Sequence, residues 1–140
     1  WEEPPVRVRV DALLGEEVRL VGVRWEPEGE ELRSGSVLTV TLVWRGEREM
    51  GESYRVFLHL LGPGGLLVAQ SDGEPVGWRR PTTGWLPGEV VVEERVLVLP
   101  EGLPSGEYRL MAGMYRYGGP RLTTPDGTDA VLLATFRVED

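Results

Sequence analysis

The chain has no cysteine. Disulfides therefore hold no part of the fold, and thiol catalysis and thiolate metal sites are excluded. Lysine, isoleucine and asparagine are also missing, all 15 basic residues are arginine, Gln70 is the only glutamine and His59 the only histidine. Scarcity of thermolabile amides fits a heat-adapted (thermophile) source, and GC-rich coding gives the same bias. No apolar run approaches the ~20 residues of a membrane span, and no signal-peptide pattern opens the chain. It opens at Trp1 instead of methionine, which points to a piece of a longer protein with any membrane anchor outside it. Positive charge is short: 23 acids against 15 arginines leave a net charge of −8. That balance disfavours a binder of phosphate backbones, so nucleic acid is not an expected partner. Nine acids against four arginines fall within residues 1–31, where solvation is the default reading.

The 140 residues fit one domain, since a chain of this size buries roughly 68% of its unfolded surface. Residues 1–5, WEEPP, read as a linker or disordered end, because paired prolines cannot donate to a ladder. The domain proper is expected over residues 6–140. Residues 6–10 (VRVRV) alternate apolar and charged, the period-2 mark of a strand with one wet face. Residues 18–25 repeat the alternation, and the acidic run Glu26, Glu28, Glu30 and Glu31 ends it in a solvated turn. Residues 37–44 alternate Leu38, Val40, Leu42 and Trp44 with the β-branched Val37, Thr39, Thr41 and Val43, and read as a central strand.

Two further strands, 54–61 and 66–71, are joined through Gly62-Pro63-Gly64-Gly65, a tight hairpin signal. Residues 90–99 form a long apolar run interrupted by Glu93, Glu94 and Arg95. The phase of the alternation changes there, which predicts a β-bulge or a strand that switches sheets. Residues 107–117 are the next strand, with a lead-in resembling a tyrosine corner at Tyr108. Arg121 and Leu122 could add a short strand, and residues 130–138 close the domain. Short strands punctuated by glycine and proline, with no convincing helix, predict an all-β fold: an Ig-like antiparallel Greek-key β-sandwich of eight or nine strands.

Between the fifth and sixth strands, residues 72–88 have the period of neither helix nor strand, and a loop that long in a compact domain is functional or capping. It holds Trp78, Arg79, Arg80 and Trp85. An indole face flanked by guanidinium donors suits a sugar, whose apolar face stacks while arginines reach hydroxyls or an acidic substituent. The alternative is that a tryptophan plugs the open end of the sandwich, and the PTTGWLPGE setting of Trp85 favours a plug for that residue. Tyr115 and Tyr117, on one face of their strand, are second choices for ligand contact. His59 has no histidine or cysteine partners for a metal and no triad pattern around it, so a structural hydrogen-bonding role is expected. Asp126 and Asp129 in TTPDGTDA are spaced like calcium ligands, but a Pro-Asp-Gly tripeptide is first a β-turn. A glycoside hydrolase would need two carboxylates facing each other across a cleft, with Asp72, Glu74, Glu93 and Glu94 the acids concerned. No catalytic residue, metal or cofactor is assigned.

The segments LTVTLVWRG, YRVFLHLLGPGGLLVAQSDGEP, PTTGWLPGE and LPEGLPSGEYRLMAGMYR, followed by the RL of Arg121 and Leu122, resemble the β-sandwich domain at the extracytoplasmic C-terminus of bacterial membrane glycosyltransferases of the dolichyl-phosphate-mannose-protein mannosyltransferase-like group. The likeness covers residues 38–122, and FLHL and PTTGWLPGE are its most specific parts. It implies a non-catalytic accessory module outside the cytoplasm, membrane-tethered only through the parent protein; none of that group's catalytic acids has a counterpart in this chain. The GEYRL turn also resembles secreted proteinase-inhibitor sandwiches, a less specific match. The expected function is binding of carbohydrate or a cell-envelope polymer through Trp78, Arg79, Arg80 and Trp85, with Tyr115 and Tyr117 in support. The alternative is a protein-interaction module that uses a loop or an edge strand.

Overall fold

A computed structural model describes residues 1–139. Its eight strands, β1 (Val8–Leu14), β2 (Val18–Glu26), β3 (Val37–Gly46), β4 (Tyr54–Leu61), β5 (Leu67–Gly73), β6 (Val90–Val98), β7 (Gly106–Arg116) and β8 (Val131–Val138), are interrupted only by 3-10 turns at Pro63–Gly65 and Thr82–Gly84. They form two four-stranded sheets of order β1-β2-β3-β6 and β5-β4-β7-β8. Every neighbouring pair is antiparallel. The pairs β3–β6 and β4–β7 bring strands distant in sequence side by side, which is the Greek-key feature of the Ig-like sandwich.

The period-2 pattern explains the core. One side of β3 turns Leu38, Val40, Leu42 and Trp44 inward to meet Val56, Leu58 and Leu60 of β4 and Tyr108, Leu110, Ala112 and Met114 of β7, all buried. Across the sheets Trp25 meets Phe136 edge-on with centroids 5.3 Å apart, a geometry favoured by the ring quadrupoles. The tyrosine corner is present: the Tyr108 hydroxyl donates to the Pro104 carbonyl at 2.6 Å.

Three expectations need correction. The first strand runs over Val8–Leu14, later than residues 6–10, because Asp11 adopts a positive φ of 52° in a bulge opposite β2 that lets pairing continue past the charged stretch. The sixth strand neither bulges nor changes sheet. It pairs with β3 without a register shift, and Val91, Glu93, Arg95 and Leu97 all point inward, so the sheet's pleat holds and it is charge that enters the interior. In place of the short strand expected at Arg121 and Leu122, there is a single isolated bridge between Arg121 and Tyr115. Residues 1–5 have no regular structure and lie along the first sheet, where Arg24 donates to the Pro5 carbonyl and Arg9 and Arg45 hold Glu3.

Candidate functional site

The inward charges on β6 organise the crossover loop. Arg95 and Glu93 are paired at 3.0 Å with side-chain exposures of 7% and 1%. The remaining Arg95 donors go to the carbonyls of Ser71 at 3.1 Å, Gly73 at 3.0 Å and Glu74 at 3.3 Å. Glu93 accepts from the Trp44 indole N–H at 2.7 Å and from the Val76 amide at 3.1 Å. Burial of this pair is tolerated because its donors and acceptors are met. It clamps the end of β5 and the start of the loop to the opposite sheet. There Val76, Gly77 and Trp78 take consecutive positive φ values of 54°, 58° and 73°, and that turn throws the Trp78 side chain out to 55% exposure.

Trp78 lies against Gly73, where a Cβ would stand 3.4 Å from the indole nitrogen. The Arg55 guanidinium sits 4.9 Å from the Trp78 ring centroid and 3.9 Å from that of Tyr117, so indole, guanidinium and phenol form a row at one end of the outer face of the second sheet. Cation–π attraction holds the three together. Farther along this face Phe57 is laid across Gly113, where a Cβ would fall 2.5 Å from the ring. Arg121 covers Phe57 at 4.1 Å, and Phe57, Tyr115, Gly119 and Arg121 line a shallow cavity of about 240 Å³. His59, beside Phe57 at 5.0 Å between ring centroids, is 3.2 Å from Asp72 through Nε2.

The six residues named from sequence divide. Trp78 and Tyr117 are exposed, Tyr115 is half-buried against Phe57, and Arg79 is exposed with no side-chain partner among the described residues. Trp85 is a correction: it is 1% exposed, and its indole N–H donates to the Arg80 carbonyl at 2.9 Å, so it is an interior plug with no face for a ligand. The Arg80 side chain is partly exposed, and its guanidinium is bound to Glu89. Burial alone would raise the Glu89 pKa, but the Leu86 amide and Arg80 outweigh it and leave this carboxyl below its usual range. Arg55, Phe57 and Arg121 were missed as site residues. The alternation of β4 carries the signal for the first two, since Arg55, Phe57 and His59 share one side of a strand whose other side is the core; Arg121 has no such signal.

Beside Trp78 a cleft of about 330 Å³ opens between the edges of β5 and β6, lined by Asp72, Glu74, Glu93 and Glu94 together with Ser71, Arg95 and Val96. The four acids considered for hydrolysis are thus gathered around one opening. Glu93 is committed to the clamp, and Glu74 accepts from the Ser53 hydroxyl at 2.9 Å. At the opposite open side, between β1 and β8, a larger groove of about 640 Å³ is lined mainly by apolar groups such as Leu13, Met111 and Leu132. The calcium reading of Asp126 and Asp129 finds no support. Asp126 accepts from the Thr124 hydroxyl and the Thr128 amide, which hold its pKa below the usual range, and Asp129 faces Arg121 at 3.7 Å. Among the described residues no cluster of three or more such groups is placed to hold a metal.

No protein-family model matches the chain, and no curated protein matches it in sequence, so the glycosyltransferase resemblance rests on the segments that carry it. In structure the chain is similar to the crystal structure of the C-terminal domain of Wzt, with a TM-score of 0.59 and 15% identity over 99% of this chain and 83% of that one. At that identity the likeness establishes a shared β-sandwich fold.

Proposed function

We propose that this sandwich is a non-catalytic accessory domain that binds carbohydrate through the outer face of its second sheet, as an extracytoplasmic part of a larger envelope protein. The observation that carries the reading is the exposed row of Trp78, Arg55 and Tyr117. Flat aromatic surface is held open there by a buried clamp, and guanidinium and carboxylate groups stand beside it to meet hydroxyls. The fold shared with a C-terminal domain of another protein and the glycosyltransferase-like segments support an appended module. A non-catalytic role fits the saturation of Glu93 by Trp44, Val76 and Arg95.

The test is glycan titration followed by tryptophan fluorescence. Of the five tryptophans only Trp1 and Trp78 are exposed, so a saturable change that disappears in Trp78→Ala, with folding intact by circular dichroism, supports the reading. Binding of full strength in that variant, or none to neutral, amino or acidic oligosaccharides, refutes it.

A second reading, a protein-interaction module, is favoured by the exposed stripe of Val37, Val92, Val96 and Val98 on the outer side of β3 and β6. Concentration-dependent association in sedimentation, abolished by Val96→Arg, is its expected sign; a monomer at all concentrations counts against self-association through this stripe.

A further inference from the structure

Resting on the carbohydrate reading, we propose that the cleft beside Trp78 selects glycans with free amino groups, that is, hexosamine units in their ammonium form, over neutral or acidic ones. The charges already committed decide this. Among the described residues Arg95 is the only cation lining the cleft, and its donors are used by Glu93 and by the carbonyls of Ser71, Gly73 and Glu74. It therefore offers nothing to an anion, and its charge is offset by Glu93.

The carboxylates left on the rim are Asp72, Glu74 and Glu94. Glu94 has no hydrogen-bond or ion-pair partner among the described residues and is exposed. Among the described residues Asp72 meets only His59, and a single hydroxyl, that of Ser53, donates to Glu74. Of the two arginines expected to reach an acidic substituent, Arg80 is held by Glu89, and Arg79, exposed on the loop, is not among the residues that line the cleft. A uronate or phosphate entering here meets like charge in a partly desolvated cleft. An ammonium on a six-membered ring meets carboxylates, while the ring's apolar side is offered the indole of Trp78. The net charge of −8 adds long-range attraction for such a polymer.

The experiment uses three oligomers of equal length: β-1,4-glucosamine, its N-acetylated counterpart and galacturonate. Each is titrated at low and high ionic strength against the whole chain, Trp78→Ala, Glu94→Gln and Asp72→Asn/Glu94→Gln. The expected result is that the glucosamine oligomer binds at least about tenfold tighter than the N-acetylated one, the scale of one charge-assisted hydrogen bond. Salt shrinks the difference, and the variants bring the two affinities together, Glu94→Gln in part and the double variant further, down to what Glu74 alone supplies. Equal or weaker binding of the glucosamine oligomer, or a preference undiminished in the folded double variant, overturns this proposal and leaves carbohydrate binding standing. Oligolysine matching the Trp78-dependent affinity overturns it too, because charge alone would then suffice. No response to any oligosaccharide overturns both readings.

Discussion

Replacing Arg95 by leucine tests the central structural claim, that a buried ion pair holds the crossover loop. The substitution strands Glu93, which is 1% exposed, with no counter-charge. It also removes the donors that reach Ser71, Gly73 and Glu74. Breaking one side of a buried pair costs about 3–5 kcal/mol, a large share of the ~5–15 kcal/mol that holds a typical domain together. At about 2–4 °C per kcal/mol the melting temperature falls by roughly 6–20 °C. The double variant Glu93→Gln/Arg95→Leu removes both charges and keeps an acceptor for the Trp44 indole N–H, which Glu93 now meets at 2.7 Å. It is expected to be more stable than Arg95→Leu alone. Urea unfolding followed by tryptophan fluorescence of the four proteins in this cycle gives the coupling. A loss below about 1 kcal/mol in Arg95→Leu, or a double variant no better than that single one, refutes the clamp.

The two loop tryptophans separate plug from platform. Trp85→Ala is expected to cost about 3–5 kcal/mol in urea unfolding because its side chain is wholly enclosed, whereas Trp78→Ala stays within about 1 kcal/mol because its indole is half in water. Tyr108→Phe removes the corner bond to Pro104 and is expected to lower stability by about 0.5–1.5 kcal/mol, again read from urea midpoints. Burial, reinforced by the hydrogen bond to Glu17, pushes the Tyr54 hydroxyl up to about 12. A phenol raised in the folded state keeps its proton where the unfolded chain has already released it. Its contribution is therefore whole below about 10, the unfolded value, and is lost as pH climbs through about 12. Melting temperature against pH is expected to drop less steeply over that window in Tyr54→Phe; an unchanged alkaline limb counts against the assignment.

The amino-acid sequence by itself determined the fold class, because a sandwich core is written in local terms. The alternation of Leu38, Val40, Leu42 and Trp44 can bury one face only as a strand, and Gly62-Pro63-Gly64-Gly65 can close β4 onto β5 only as a tight turn. Tyr108 announced its corner through its setting at the start of a strand. What only the tertiary structure decided is where polar groups find their partners. The charges of β6 looked like a break in periodicity; two of them, Glu93 and Arg95, are inward residues whose partners lie 17–24 positions away in sequence or on the next strand, at Val76, Ser71 and Trp44. Trp78 and Trp85 are similar in local setting, seven residues apart on one loop. One is held out by the glycine beneath it and by the clamp, the other enclosed between Arg80 and the core. Burial depends on what the rest of the chain packs around a side chain, and no local pattern encodes that.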